Sequence, residues 1–539
     1  MNSIEKLKKM FTRGEAFVWL TGSAMGLCLV LVFGLIFVIV INGMGMFWPH
    51  QVTEFKLKEG PVYVGIHTRS EVVKDEQGGK LERYQVKVGN RESGADFMWM
   101  DVPKVEAKAI PKDVIVLERF EYGDFIGYVS GFQQDGVLVP GADAKALLAE
   151  KLPQAQEAFK KVSHIQRGEM ENIATKVNKL KLRKDKLAKA TSDKSQEIAK
   201  LDAQLAVLLA ENNKHSARIL DLNKDPARYG LVVKSADGVE RVVPMPNIVR
   251  YYYPNDMSFF QKTGHYGAKV WEFLFAEPRE SNTEGGVYPA IFGTVLMTLL
   301  MSVAVTPFGV LTAFYLGEYA KDGIFLKLVR IAVNNLAGVP SIVFGVFGLG
   351  FLVYGVGGGI DRLFYSDILP TPTFGTGGLI WASLTLALLT LPVVIVATEE
   401  SIAAVPRGVK EGSLAMGASK FQTILKVVLP ASVPGIMTGV ILAIARGAGE
   451  VAPLMITGVA KMATELPLDG NAPYFHPERK IMHLGFHIYD VGFQSPNIEA
   501  SKPMVFTTAL LLLVIVLALN IVAIVIRDHV KKKYRTGAF

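Results

Sequence analysis

The chain has 539 residues, half of them hydrophobic, a formal net charge of +8 and a single cysteine, Cys28. The apolar share is high for a soluble protein of this length, and one cysteine excludes a disulfide within the chain. The positive charge does not require a nucleic-acid partner, because much of it lies beside predicted membrane segments, where anionic lipid attracts basic residues.

Six long runs without charged residues divide the chain. Each holds about 20 residues, enough for a helix to cross roughly 30 Å of hydrocarbon with its backbone polar groups satisfied. The sequence therefore predicts an all-α membrane core with six transmembrane helices. The first, around Phe17 to Ile41, is too long for a signal peptide and lacks a cleavage site of small residues, so we expect it to be retained. The runs lie between Glu15 and Glu54, Glu284 and Glu318, Arg330 and Asp361, Asp367 and Glu399, Lys426 and Arg446, and Lys502 and Arg527.

Basic residues in the short loops predict the orientation of these helices. With the N-terminus in the cytoplasm, sixteen Lys and Arg residues fall inside and five fall outside, as the positive-inside rule requires. We therefore expect a multi-pass membrane protein with both termini cytoplasmic and residues 42–284 outside the cytoplasm. The inside residues are Lys6, Lys8, Lys9, Arg13, Lys321, Lys327, Arg330, Arg407, Lys410, Lys420, Lys426, Arg527, Lys531, Lys532, Lys533 and Arg535, and the outside ones are Arg362, Lys461, Arg479, Lys480 and Lys502.

The segment between the first two spans, residues 42–284, is predicted to fold outside the membrane. Clustered β-formers and turn residues predict β segments over 52–140 and 228–253. Residues 142–222, rich in Ala, Lys, Glu, Leu and Gln, predict an antiparallel helical hairpin that reverses at residues 190–193. Its basic middle is either a solvated helix face or a patch that attracts an anion or a partner. The coiled-coil seam consists of Ile198, Leu201, Leu205 and Leu208, with Ile173, Val177 and Leu180 on the other arm.

A polar segment separates the fourth and fifth runs. Glu411-Gly412-Ser413 is followed after three residues by Gly417, after nine more by Val427, and then by Leu429-Pro430. The spacing of its apolar residues predicts a short amphipathic helix on the cytoplasmic surface, with small residues that let another backbone approach. We expect Gly417 to allow a bend and Leu429-Pro430 to end the unit before the next span. The apolar residues are Leu414, Ala418, Phe421 and Leu425.

This segment resembles the coupling loop of ABC importer permeases. The family pattern is Glu-Ala-Ala, three residues, Gly, nine residues, Ile, one residue and Leu-Pro; here Gly412 and Ser413 replace the alanines and Val427 replaces Ile. The resemblance implies that loop 399–433 docks in a groove of a separate ATPase. An ordinary interfacial helix is the alternative. The residues that would carry the docking are Glu411, Gly412, Ser413, Gly417, Phe421, Leu429 and Pro430.

Further segments of residues 285–530 resemble the phosphate-specific (Pst) transport permeases, the A-type subunit more than its C-type partner. They are Tyr288-Pro-Ala-Ile-Phe-Gly-Thr-Val, Thr306-Pro-Phe-Gly-Val, Gly317-Glu-Tyr-Ala, Asn335-Leu-Ala-Gly-Val-Pro-Ser-Ile-Val-Phe-Gly and Ala445-Arg-Gly-Ala-Gly-Glu-Val-Ala-Pro-Leu. The resemblance implies a type I importer permease fold in the bacterial inner membrane, with residues 42–284 periplasmic. The uncharged runs and the basic residues predict five spans in 285–530 and a basic cytoplasmic tail at 531–539. Family members usually have a short first outside loop, so the insertion 42–284 has no implied role.

The same resemblance implies the partners: a second, C-type permease subunit, a dimer of ATPase subunits and a periplasmic phosphate-binding protein. The sequence contains no G-x-x-x-x-G-K-[ST] loop. We therefore expect no catalytic residue and no bound cofactor in this chain, with ATP and Mg used by the partner ATPase.

Two charged residues, Arg446 and Glu450, lie four positions apart in the fifth run, on one predicted helical face. A charge at membrane depth is unfavourable unless it faces a path or a partner. Arg446 either offers positive potential to a passing oxyanion, with Glu450 partly neutralising it, or the two form a static ion pair that fixes helix packing.

We expect an importer permease for phosphate, with Arg446 and Glu450 on the substrate path. One alternative is a permease for sulfate or molybdate, and another is a membrane-anchored scaffold or sensor that acts through its external domain. His483 and His487 have the i, i+4 spacing of a metal pair, but no third ligand follows at helical spacing, so we expect no metal site.

Overall fold

The computed structural model describes residues 15–74, 79–93, 96–139, 143–188, 195–236, 238–366, 368–463, 465–470, 473–495 and 498–535. Within these residues, six helices are long and apolar enough to cross a membrane, as predicted. They cover Phe17–Gly45, Tyr288–Tyr319, Ser341–Phe364, Leu379–Ala403, Lys420–Ala448 and Ser501–Lys532.

The helices are numbered in chain order. They are α1 (Glu15–Gly45), α2 (Ala144–His164), α3 (Glu171–Ala188), α4 (Ser195–Ala227), α5 (Phe259–Phe275), α6 (Tyr288–Phe314), α7 (Ile324–Leu336), α8 (Ser341–Phe347), α9 (Gly358–Phe364), α10 (Leu379–Ala403), α11 (Arg407–Ala415), α12 (Lys420–Thr423), α13 (Leu429–Ala448), α14 (Ala452–Thr457), α15 (Leu484–Phe493) and α16 (Ile498–Arg535). Wider π-helical turns extend or join some of them, at Ile165–Met170, Tyr315–Tyr319, Gly348–Gly357 and Ile424–Val428.

Helix α10 is central to the membrane part: α6 and α13 pack against it, and α16 packs against α13. Glycine allows both close crossings. A Cβ atom on Gly309 of α6 would lie 2.6 Å from Val394 Cγ1 of α10, and one on Gly439 of α13 would lie 2.6 Å from Ala397 Cβ. Small residues at these points therefore set the spacing of the helices, as is common in membranes.

The first span, α1, packs on the last, α16. Thr507 Oγ1 donates a hydrogen bond to the Gly43 carbonyl at 2.9 Å, near the end of α1. Most apolar side chains of α1 are exposed. A fully apolar helix with exposed side chains is typical of a span that faces lipid.

Residues between the first two spans form two antiparallel sheets, with strand orders β4-β3-β2-β1-β5 and β10-β9-β7-β6-β11; β8 pairs with β7. Helix α2 packs on the second sheet, where Leu148 and Leu152 join the buried Ile115 and Leu117. The strands are β1 (Val52–Leu57), β2 (Val62–Lys74), β3 (Lys80–Lys87), β4 (Phe97–Asp101), β5 (Val105–Ala109), β6 (Ile115–Arg119), β7 (Phe125–Gln134), β8 (Val137–Leu138), β9 (Tyr229–Lys234), β10 (Glu240–Pro244) and β11 (Ile248–Tyr252), followed by a short ribbon of β12 (Pro278–Arg279) and β13 (Glu284–Gly285).

Helices α2, α3 and α4 form a long helical arm on this β region. Ile173 and Val177 of α3 are buried against Leu205 of α4, on the seam that the spacing predicts. Lys184 pairs with Asp202 across the arm at 2.5 Å. The predicted reversal at residues 190–193 lies outside the described residues.

The last helix extends into the predicted basic tail. Helix α16 continues to Arg535, so residues 531–535 of that tail are helical. A run of apolar and basic residues without Pro or Gly gives the helix no stop signal after Arg527. Residues 536–539 lie outside the described part of the chain.

Candidate functional site

The predicted surface helix is α11, and a turn separates it from the following helix. Gly417 has φ +86°, a left-handed conformation that glycine adopts without strain. Ser419 then caps α12: its Oγ accepts the Gln422 N–H, and the Gln422 side chain accepts the Ser419 N–H. The site residues Glu411, Gly412 and Ser413 therefore lie on α11, and Phe421 lies on the next helix.

The turn exposes apolar side chains. Met416 is 90% exposed and Phe421 is 64% exposed, and Val409, Leu414 and Leu425 are also exposed. Glu411 is exposed as well and makes no ion pair with any residue that the structure describes. Apolar groups gathered around one free carboxylate are typical of an interaction surface.

Two lysines attach this surface to the end of the second span. Lys410 Nζ lies 2.5 Å from Glu318 Oε1, and both side chains are largely buried. Lys420 donates a hydrogen bond to the Glu318 carbonyl and lies 5.1 Å from the centre of the Tyr319 ring. Ser413 Oγ and Thr423 Oγ1 are hydrogen-bonded at 2.9 Å, which joins α11 to α12. The surface is therefore attached to the π-helical turn that extends α6.

Leu429 and Pro430 do not end this unit, contrary to the prediction. A continuous helical segment runs from Lys420 to Ala448, through both residues. Pro430 has no N–H to donate, but it follows the wider turn Ile424–Val428, and such turns accommodate proline in membrane helices. The bend that ends the surface helix is at Gly417.

The charged pair of the fifth span also differs from the prediction. Helix α13 ends at Ala448, so Arg446 lies in its last turn and Glu450 lies in the break before α14. Their closest atoms, Arg446 Nε and Glu450 Oε1, are 3.9 Å apart, and the side chains are 35% and 20% exposed. This long contact leaves the guanidinium able to bind another group. A cation in the last turn also interacts favourably with the helix dipole.

The break after α13 is held by close packing on α8. A Cβ atom on Gly345 would lie 2.7 Å from Pro453 Cα, so α8 and α14 touch through their backbones. Thr457 Oγ1 donates to the Pro453 carbonyl at 3.0 Å. The span that carries Arg446 thus ends in a fixed, broken helix.

Comparison with known proteins identifies the family. Residues 305–536 match the family described as "Binding-protein-dependent transport system inner membrane component". The phosphate transport system permease protein PstA of Yersinia pestis is 33% identical over 264 residues, which cover 48% of this chain and 79% of that protein. The chain belongs to the Pst-type importer permeases.

Other relatives match over a smaller part of their length. The PstA protein of Mycobacterium leprae is 36% identical over 188 residues, which cover 35% of this chain and 56% of that protein.

The solved MetNI methionine ABC transporter resembles this chain at 20% identity and a TM-score of 0.33, covering 45% of this chain and 94% of that one. The insertion of this Pst-type permease lies outside the family match, which begins at residue 305.

Sequence reasoning missed Glu318 as the partner of Lys410 beside the surface helix α11. Glu318 ends the second uncharged run, within the segment Gly317-Glu-Tyr-Ala, but nothing in that spacing indicates a contact with residue 410. Only the packing of α6 against the loop after α10 brings the two together. Charged residues are common at the ends of spans because these ends lie at the membrane surface. The position of Glu318 is therefore only a weak indication of a specific contact.

His483 and His487, the two histidines with i, i+4 spacing, have structural roles. His483 Nδ1 accepts the Phe486 N–H and caps α15, and His487 Nδ1 lies 3.3 Å from Thr508 Oγ1. Burial lowers the pKa of His483 to about 3 and that of His487 to about 4, so both are neutral. Among the described residues, no three His, Cys, Asp or Glu side chains are grouped as a metal site would need.

Proposed function

We propose that this chain is the permease subunit through which an ATP-driven importer moves inorganic phosphate across the cytoplasmic membrane. One observation carries the proposal: the exposed apolar surface at α11 and α12 is joined to the end of α6 by the buried ion pair Lys410–Glu318. A surface of this kind can receive movement from a partner and pass it to a membrane helix. The role depends on α11 lying on the cytoplasmic side, as the distribution of basic residues predicts.

The partner at this surface is the ATPase of the importer. Its recognition would rest on Met416 and Phe421 as apolar anchors and on Glu411, whose carboxylate makes no ion pair with any residue that the structure describes. Large exposed anchors around a few polar groups are the usual basis of a specific interface. We also propose that the importer contains a second permease and a binding protein, and that residues 42–284 lie in the periplasm.

Arg446 is proposed to contact the passing anion. It lies in the last turn of a spanning helix, it is 35% exposed, and its contact with Glu450 is long. A charge that this chain leaves uncovered at membrane depth would be unfavourable against lipid. The proposal therefore places the two side chains on a path that the second permease completes. A guanidinium suits an oxyanion because it donates several hydrogen bonds in one plane.

Phosphate is supported as the solute by the relatives, since the PstA proteins of Yersinia pestis and Mycobacterium leprae are named as phosphate transport system permeases. Sulfate and molybdate are the competing solutes. A single arginine does not distinguish one tetrahedral oxyanion from another, since each offers several acceptor oxygens to the same donors.

The experiment has two parts. The full chain is purified in mild detergent, and we expect an ATPase and a second permease to accompany it. The assembly is then reconstituted in liposomes with the phosphate-binding protein, and ATP-dependent uptake of labelled phosphate, sulfate and molybdate is compared. Uptake of sulfate or molybdate in place of phosphate would disprove the substrate, and absence of an ATPase would disprove the coupling.

A variant with a shortened helical arm distinguishes a transporter from a scaffold. His215 Nδ1 faces Glu169 Oε2 at 2.8 Å, so the two helices of the arm are in register there. Residues 172–212 can be replaced by a short turn without touching the part of α2 that packs on the second sheet. A transporter is expected to keep ATP-dependent uptake after this change. Loss of uptake, with a folded assembly retained, would favour the scaffold or sensor alternative.

A further inference from the structure

Helix α5 (Phe259–Phe275) distributes its side chains in the reverse of the usual manner for a surface helix. A capping box of Ser258 and Gln261 starts it. In a water-facing helix the charged residues lie outside and the apolar ones lie inside. Here the charged residues face the protein, and the exposed face is uncharged.

The inward face of α5 is attached by ion pairs to the β region. Lys269 Nζ lies 2.6 Å from Glu118 Oε2, and Arg250 Nη2 lies 2.9 Å from Glu272 Oε2. Arg279 Nη1 pairs with the other oxygen of Glu272 at 2.7 Å. These partly buried contacts fix the rotation of the helix about its axis.

The outward face consists of aromatic residues with glycines between them. Phe260 is 86% exposed and Trp271 is 66% exposed, and Phe275 continues the stripe. Gly264 and Gly267 lie between them, and a Cβ atom on either would meet no atom within 4 Å. No other part of the described chain covers this face.

The position of α5 is fixed by the ends of two spans. The Phe47 ring, just beyond α1, lies 5.2 Å from the Phe273 ring, and the Trp48 ring lies 5.9 Å from the Phe259 ring. At the other end, the Val287 N–H donates to the Phe273 carbonyl at 2.8 Å, one residue before α6 begins. Helix α5 therefore lies where α1 leaves the hydrocarbon and α6 enters it.

We propose that α5 lies in the membrane–water interface, with the stripe of Phe260, Trp271 and Phe275 in the lipid, and that it holds the inserted β region against the bilayer. Aromatic side chains prefer the headgroup level, and helices that lie in this plane bury one apolar face. The occupant of the stripe is the lipid surface, because the stripe carries no charge and α5 contacts the ends of two spans. This role does not depend on which solute the permease carries.

The test uses fluorophores attached to single cysteines. Cys28 is the one cysteine of the sequence, so Cys28→Ser provides the background. A probe is placed at Phe260→Cys, Trp271→Cys or Phe275→Cys, and the full chain is reconstituted in phosphatidylcholine vesicles that contain doxyl-labelled phosphatidylcholine. The matched control is Val137→Cys in β8, where the native side chain is 69% exposed.

We expect lipid quenching of the stripe probes to exceed that of the control several-fold, and iodide quenching to be several-fold weaker. Equal iodide quenching at Trp271→Cys and Val137→Cys would overturn the proposal. Protection from iodide without lipid quenching, seen only when partner subunits are present, would also overturn it and would indicate a protein partner.

A second pair of variants changes the same face at a glycine, so that no aromatic residue other than the labelled one is removed. Gly264→Leu and Gly264→Glu both fit sterically, since the position is open. With the probe at Phe275→Cys, we expect Gly264→Leu to keep or increase lipid quenching and Gly264→Glu to decrease it. The same response to both variants would overturn the proposal, because the outcome would then depend only on the loss of glycine.

Discussion

Lys410 Nζ lies 2.5 Å from Glu318 Oε1, and this ion pair joins the surface helix α11 to the end of the second span. Both partners are largely buried, so solvent screens their attraction less than at an open surface. One ion pair therefore connects the proposed ATPase-binding surface to a spanning helix. Its two charges can be removed or exchanged by mutation.

Removing either charge should uncouple transport from ATP hydrolysis. We expect Glu318→Gln or Lys410→Met to lower uptake, because the remaining buried charge loses its partner at a cost of about 1–3 kcal/mol. The charge-exchanged double variant Glu318→Lys with Lys410→Glu should recover part of the uptake. Uptake and ATP hydrolysis by the reconstituted assembly measure the coupling, and Lys321→Met, an exposed position on the same side, is the control. Equal loss in the exchanged and single variants would show that the pair does not act as a pair.

Glu411 should act on the partner rather than within the chain. It is exposed and has no ion pair among the described residues, so Glu411→Lys is expected to leave the permease folded and to weaken its retention of the ATPase. Co-purification and the thermal stability of the permease alone are measured in parallel. An unchanged amount of bound ATPase would remove Glu411 from the proposed interface.

Gly417 should be required for its backbone conformation alone. Its φ is +86°, and a Cβ atom there would meet nothing within 4 Å. A β-carbon in the left-handed region costs roughly 1–2 kcal/mol, while asparagine tolerates that region better than most residues. We therefore expect Gly417→Ala to reduce uptake more than Gly417→Asn does. Gly408→Ala, an open position on α11, is the control and should retain uptake. Equal effects of Ala and Asn at 417 would contradict this reason.

Arg446 should matter for transport and not for assembly. The 3.9 Å contact with Glu450 is long for an ion pair, so Arg446→Gln is expected to abolish or strongly reduce uptake in a normally assembled permease. Arg446→Lys keeps the charge but loses the planar donor geometry, and intermediate uptake is expected. Size-exclusion profiles of the assembly accompany the uptake measurements. Loss of assembly in Arg446→Gln would support the static ion pair instead.

Glu284 should make the junction between the insertion and α6 less stable as the pH rises. Burial and the nearby Asp124 raise the pKa of Glu284 to about 7, against the lowering effect of Lys87 and Arg91. The folded state therefore holds the proton more tightly than the unfolded state, and stability falls between about pH 4.5 and pH 7 as the proton is lost.

The variant Glu284→Gln isolates this effect. Its thermal unfolding temperature relative to the unmodified chain should be higher at pH 8 than at pH 5, by an amount that reflects on the order of 1–3 kcal/mol. Glu121→Gln, an exposed position on the same region, is the control. His265 acts in the opposite direction, because burial, Arg250 and Lys269 lower its pKa to about 4, so its contribution is lost as the pH falls from about 6.5. A pH-independent difference for Glu284→Gln would contradict the raised pKa.

Local patterns were sufficient for the features that depend on short stretches of chain. The six spans follow from runs of apolar residues, because a membrane helix needs only length and hydrophobicity. The bend at Gly417 and the surface helix before it follow from spacing within a single loop. The seam of Ile173, Val177 and Leu205 follows from heptad spacing, since each arm of the hairpin shows its own apolar stripe.

Local spacing gave wrong predictions where contacts with neighbouring helices determine whether a helix continues or ends. Leu429-Pro430 reads as a stop signal, yet the helix continues, because adjacent spans hold it and a wider turn accommodates the proline. The i, i+4 spacing of Arg446 and Glu450 suggests one helical face, yet the helix ends between them, where α14 packs closely on Gly345.

The sequence by itself therefore determined the membrane class, the number of spans and the coupling-loop pattern, because hydrophobicity and turn chemistry act over a few residues. The tertiary structure decided the pairing of Lys410 with Glu318, the end of the fifth span before Glu450, and the outward aromatic face of α5. Each of these depends on residues far apart in the chain, and only packing and buried charge determine which distant side chains come together.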